Sequence, residues 1–230
     1  MSSSSASALQ QTASPTAPAT YFTFKDYLSA DEVATFFDWE HEQQVDKVDE
    51  YLDFVARQPA AAQFTSSSRA STSWAEHWQL DGSSSAYDGV VKELLEELLC
   101  GRTKSGFGAF DSEPGFLPQR QLSMAVARSV KQIGHEYIVE RTKKGRSDRH
   151  RSFYLNWCHA EKQKFMDIRL KLNRDLQLDK DRRRRYWERI VVVVDRGMCA
   201  DCIEYVRCLA AYEQCQLRVR DPTTLRMFSP

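Results

Sequence analysis

The chain has 230 residues, 42% apolar and 28% charged, enough to bury a core in one globular domain with appendages. No apolar run approaches the roughly 20 residues of a membrane helix. The first 24 residues hold no Lys or Arg, so no secretory or transit leader is expected and the expected location is intracellular. The formal net charge of zero hides an asymmetry: residues 1–118 carry 7 Lys and Arg against 18 Asp and Glu, a net of −11, and residues 119–230 carry 25 against 14, a net of +11. A basic half suits a polyanionic partner, and two opposite halves also suit packing against each other.

Three regions are expected. Residues 1–20 are Ser, Ala, Thr, Gln and Pro with little to bury, the composition of a disordered tail. Residues 21–118 read as a helical, acidic region. Ser29 and Glu32 form a capping-box pattern, and Val33, Phe36, Phe37, Val45, Val48, Leu52 and Val55 then recur at helical intervals up to Pro59. The opposite face carries Asp38, Glu40, Glu42, Asp46, Asp49, Glu50 and Asp53, either a solvated face or a cover that competes with nucleic acid for the basic half. Residues 65–73 read as a Ser-rich loop and residues 87–100 as a second helix. The Gly and Pro of residues 101–118 mark a boundary.

Residues 119–230 read as the basic, catalytic unit. A helix is expected over 121–133, then a strand over 134–140 in which His135 is half exposed, a basic turn over 143–151 and a strand over 152–157. From His159 a helix shows Phe165, Ile168, Leu172 and Leu176 on one side. A loop with four consecutive arginines, Arg182, Arg183, Arg184 and Arg185, leads to the β-branched run 190–194, a buried strand. A second helix from Cys199 carries Val206, Leu209 and Ala210, and residues 217–220 close a right-handed strand-helix-strand unit with parallel strands. The expected fold is α/β, a small mixed sheet layered with helices.

Two short pieces carry the chemistry: Trp157-Cys158-His159-Ala160-Glu161-Lys162, and Gly197-Met198-Cys199-Ala200-Asp201-Cys202. A zinc deaminase needs one imidazole and two thiolates on the metal, a position left for water, and a carboxylate that is not a ligand. His159, Cys199 and Cys202 supply the ligands and Glu161 the carboxylate. Cys199 and Cys202 are three apart and share a helix face, and a helix N-terminus with a cation holds both thiols deprotonated. Cys208 and Cys215 read as small buried hydrophobes rather than ligands.

His159-Ala160-Glu161-Lys162, Cys199-Ala200-Asp201-Cys202 and Val219-Arg220-Asp221, in this order, resemble the DYW-type branch of the cytidine deaminase superfamily over about the last third of the chain. The resemblance implies a cytidine-deaminase-like α/β/α fold, a zinc cofactor and conversion of cytosine to uracil, in single-stranded nucleic acid or in a free nucleoside. The base must reach the metal, so a polymer is bound single-stranded or flipped. Tyr154 and Tyr186 are candidate stacking surfaces, Trp157 reads first as core, and Arg182 to Arg185 are candidate phosphate contacts. Two other readings stay open. Met198, where the wider superfamily has Pro, suits an inactive zinc-binding interaction or regulatory protein of the same fold. Strand, Cys-x-x-Cys and helix also describe a thiol-disulfide oxidoreductase, which would give His159 and Glu161 no task.

Overall fold

A computed structural model describes residues 24–58, 65–75, 86–106, 114–137, 156–176 and 178–230. Five strands form one sheet: β1 (Thr65–Trp74), β2 (Thr103–Gly106), β3 (Ile190–Val194), β4 (Leu217–Arg220) and β5 (Leu225–Phe228), in the order β2-β1-β3-β4-β5. Only β3 and β4 run parallel, Val192 facing Val219; every other pair is antiparallel. This is a mixed α/β fold of the deaminase-like kind.

The Ser-rich segment expected as a loop is β1, the strand between β2 and β3. Ala70 to Trp74 pair with Val194 to Ile190. Residues expected to mark a boundary supply β2, whose Thr103 and Lys104 pair with Ala70 and Arg69. The sheet therefore crosses the boundary expected at residue 118. Hydrogen bonding along β1 outweighs the low strand propensity of its serines, because both of its edges are paired and its small side chains fit beneath a helix.

Eight α-helices are described: α1 (Phe24–Tyr27), α2 (Ala30–Thr35), α3 (His41–Ala56), α4 (Ala86–Leu99), α5 (Gln119–Ile133), α6 (Ala160–Leu170), α7 (Lys180–Trp187) and α8 (Ala200–Glu213). The amphipathic pattern of residues 30–56 is broken into α2, a 3₁₀ turn at Phe36–Asp38 and α3, and the Ser29 capping box is formed. Phe24 packs edge-on against Phe36 and Tyr51, at 5.0 and 5.4 Å between ring centres. On the acidic side of α3, Asp49 and Asp53 meet Arg120 of α5 at 2.8 and 2.7 Å, so part of the charge asymmetry is spent on packing the halves together.

Helix α5 ends at Gly134, whose left-handed φ of 73° closes the turn. Residues 135–137, expected to begin a strand, follow that cap without entering the sheet, and residues 138–155 lie outside the described part, with the expected basic turn and most of the next strand. The arginine run expected as a loop is helix α7, started by Asp179, whose side chain accepts the N–H of Arg182. A π-helical stretch, Lys171–Asp175, extends α6. Helix α6 lies on β1, β2 and β3, and α5, α6 and α8 pack on one another. The core between them holds Trp157, Phe165, Ile168, Trp187, Val192, Tyr205 and Leu209, each no more than 1% exposed. Among the described residues no helix is long and apolar enough to cross a membrane.

Candidate functional site

Two helix starts meet beyond the carboxyl end of β3. His159 is the residue that caps α6 and Cys199 the residue that caps α8, both in extended backbone, so each side chain stands at the positive end of its helix dipole. The parallel β3 and β4 fix α8 between them as a crossover, which brings Cys199 and Cys202 to the sheet end that also receives His159.

The donor atoms of His159, Cys199 and Cys202 all lie within 4.8 Å of one another. His159 Nδ1 is 3.3 Å from Cys202 Sγ and 3.6 Å from Cys199 Sγ. Bond lengths of about 2.3 Å to sulfur and 2.0–2.1 Å to nitrogen, at tetrahedral angles, require about 3.6 Å between such donors. The set therefore fits a zinc ion. His159 and Cys199 are half-buried and Cys202 is buried, so the set is closed on the protein side only.

The two thiols are driven in opposite directions. The hydrogen bond with Cys202 brings Cys199 down to about 4, helped by His159, while the same bond and burial push Cys202 well above the ordinary thiol range. Burial, the largest influence on His159, pushes its imidazole down, yet the bond to Cys199 and its charge prevail and raise it. Glu161 is buried beside the set, its Oε2 3.8 Å from Cys202 Sγ. Burial raises its carboxyl above the usual range, against the pull of His159. Cys158, next to His159, is fully buried, and its thiol is pushed up to about 12, the state of an inert neutral group.

Several supporting groups escaped the motif reading. Lys162 is fully buried and paired with Asp201, which sits between the two cysteines of the other motif. The pair thus ties the start of α6 to the start of α8. His135, expected half exposed on a strand, is buried with its Nε2 3.3 Å from Asp201 Oδ1 and 3.5 Å from Lys162 Nζ. The Tyr137 and Tyr205 rings lie 5.1 and 5.3 Å from Lys162 Nζ. Gln163 donates to Cys158 O at 2.7 Å and Lys104 O at 3.1 Å, and the Ala160 N–H donates to Ser105 Oγ at 2.9 Å, which fastens the His159 turn to β2. A charged residue inside each motif that is no ligand was the available signal for Lys162 and Asp201. No spacing rule points to His135 or Ser105.

The expected substrate contacts fare differently. Tyr186 is 8% exposed within the core, and Trp157 is fully buried, so neither ring offers a face to a base. Tyr154 lies outside the described residues. Arg182 pairs with Asp179 and Arg184 with Glu188, while Arg183 donates to Leu178 O and lies 3.7 Å from Glu213; Arg185 is exposed. Glu213 ends the helix that Cys199 begins, 14 residues away and therefore about 21 Å at 1.5 Å per residue. The arginine run borders the wrong end of the sheet for holding a strand at the ligand set.

The mixed five-stranded sheet is consistent with a deaminase-like α/β fold, and His159, Cys199 and Cys202 form a group that could hold a metal. The family model of the single-strand DNA deaminase toxin A C-terminal domain matches residues 102–165, just over a quarter of the chain. The match supports a nucleic-acid deaminase type of family and includes β2, α5 and the His159-Glu161 motif; it does not reach Cys199 or single out the DYW branch. Comparison with curated proteins gives no match.

Proposed function

We propose that the protein is a zinc-dependent hydrolytic deaminase acting on single-stranded nucleic acid, converting cytosine to uracil. The observation that carries this reading is the convergence of one imidazole nitrogen and two sulfurs from separate helix starts, with a buried carboxylate beside them. Held by His159 Nδ1, Cys199 Sγ and Cys202 Sγ, zinc would supply the Lewis acidity that makes water nucleophilic near neutral pH. Glu161 is the proton carrier: its carboxylate takes a proton from the attacking water, delivers it to the ring nitrogen, and serves again as ammonia leaves C4. Burial raises the Glu161 carboxyl above the usual range, which favours the protonated form that hands the proton on. Lys162 and Asp201 keep the two helix starts in register, and Gln163 fastens the first of them to β2. The matched family's name makes single-stranded DNA the first polymer to try, with RNA and free cytidine as parallel substrates.

The test is to measure metal content and to follow uracil formation in a single-cytosine oligonucleotide. About one zinc per chain is expected. Glu161→Gln should keep the metal and lose uracil formation by at least about 10²-fold. A wild-type protein without stoichiometric metal, or a variant as active as wild type, would overturn the reading.

A further inference from the structure

With the α7 arginines at the far end of the sheet, another surface must neutralise a polyanion beside the ligand set. The structure points to a cleft on the outer face of the sheet, built from Arg69, Arg102 and Lys104 around Phe116. We propose that it holds the sugar-phosphate backbone of the single-stranded substrate. This rests on the deaminase reading and adds the path of the polymer.

The three cations converge on one ring. The Arg102 guanidinium lies 4.5 Å from the Phe116 centroid, Arg69 5.5 Å and the Lys104 ammonium 5.8 Å. A short parallel bridge joins Arg102 to Phe116, with Leu117 N donating to Arg102 O at 2.8 Å and Arg102 N to Gly115 O at 3.2 Å, so the ring is held against its own strand. The register sets Arg69 directly opposite Lys104. A phosphate placed beside this pair meets two cations at once. A cavity of about 210 Å³ opens next to them, lined by Arg69, Ser71, Arg102, Val193 and Asp195. Asp195 Oδ1 is engaged by the Arg69 N–H at 2.9 Å. A guanidinium stacked on a ring keeps its N–H edge for bidentate contact with phosphate.

The cleft lies at the correct end of the sheet. Strand residues alternate between faces, so β2 turns Thr103 and Ser105 toward α6 and Arg102 and Lys104 to the other side. Thr103 Oγ1 donates to Ala160 O at 2.7 Å, and Ser105 Oγ accepts from Ala160 N. The strand that grips the start of α6 on one face thus carries the cations on the other. Asp195, at the cleft, directly follows β3 and lies four residues before Cys199. A strand with its target base over the ligand set can continue over this edge onto the cations.

The test is binding of a labelled single-stranded DNA 15-mer at several salt concentrations. Arg102→Glu with Lys104→Glu should weaken binding at least about tenfold and reduce the slope of log affinity against log salt by about 1.4, near 0.7 for each lost phosphate contact. Arg102→Ala should show a smaller loss in the same direction. Arg182→Glu with Arg185→Glu, and Arg207→Glu on α8, should bind within about twofold of wild type. Metal content checks that each variant folds. If the double cleft variant kept wild-type affinity and slope, or the α7 variant lost as much, the cleft would be refuted. Uracil formation by the wild-type protein separates the two claims: turnover by the wild type together with undiminished binding by the cleft variant refutes the cleft alone, while no turnover by the wild type together with lost binding by the cleft variant refutes deamination and keeps the cleft.

Discussion

Lys162 and Asp201 show how much of the site rests on groups that touch no metal. Both are buried, and each neutralises the other in a place where an isolated charge costs several kcal/mol. Lys162→Met removes the ammonium partner of the buried Asp201, so stability should fall by about 3–5 kcal/mol in urea unfolding. Lys162→Met combined with Asp201→Asn should recover part of that loss; a double variant no more stable than the single would show that the pair is not the reason. The grouping of His159 with Cys199 and Cys202 was legible in the sequence because a metal would demand particular side chains at short spacings. Their buried partner His135 was not, because its role depends on α5 ending beside α8, a matter of packing rather than spacing. Tyr186 and the arginines were misplaced for the same reason: residue type suggested a contact, and position in the fold denied it.

At the scale of elements, helix starts and turns do the positioning. The hairpin between β4 and β5 turns on Asp221, whose carboxylate accepts from Thr223 Oγ1 at 2.6 Å, Thr223 N at 2.8 Å and Thr224 N at 2.9 Å, and from Arg226 Nε at 3.0 Å. The bonds from Thr223, followed by that from Arg226, hold its carboxyl well below the usual range. A carboxyl depressed in the folded chain stabilises it above the unfolded pKa, near 4, and that contribution is lost as pH falls toward the folded value. Unfolding midpoints should therefore drop between about pH 5 and pH 2, and Asp221→Asn should flatten that slope; an unchanged slope would exclude Asp221 as a source. Long periodic elements were legible: α5, α6, α8 and β3 follow their apolar patterns. β1 was not, because a strand of Ser, Thr and Ala has no apolar alternation to read. Its partners on both edges and the helix above it make it a strand.

For the whole molecule, the candidate metal group joins parts of the chain on either side of β3, since His159 precedes that strand and the cysteines follow it. Zinc bound at a thousandfold excess over its dissociation constant adds about 4 kcal/mol, or roughly 8–16 °C in midpoint for a chain of this size. Stripping the metal with a chelator should lower the melting temperature by at least about 8 °C, and zinc should restore it; an unchanged midpoint would mean that no cation is held there. The described helices and sheet also explain why the expected boundary at residue 118 does not divide the sheet: β3 takes one neighbour from the first half and one from the second. The amino-acid sequence by itself pointed to His159, Cys199 and Cys202 as a group that could hold a metal and determined the β3-α8-β4 unit, because local spacing and periodicity encode them. Only the tertiary structure decided which cations share the ligands' end of the sheet, which charges are buried together and which polar segment becomes a strand. Those outcomes depend on long-range pairing and packing, which no local pattern carries.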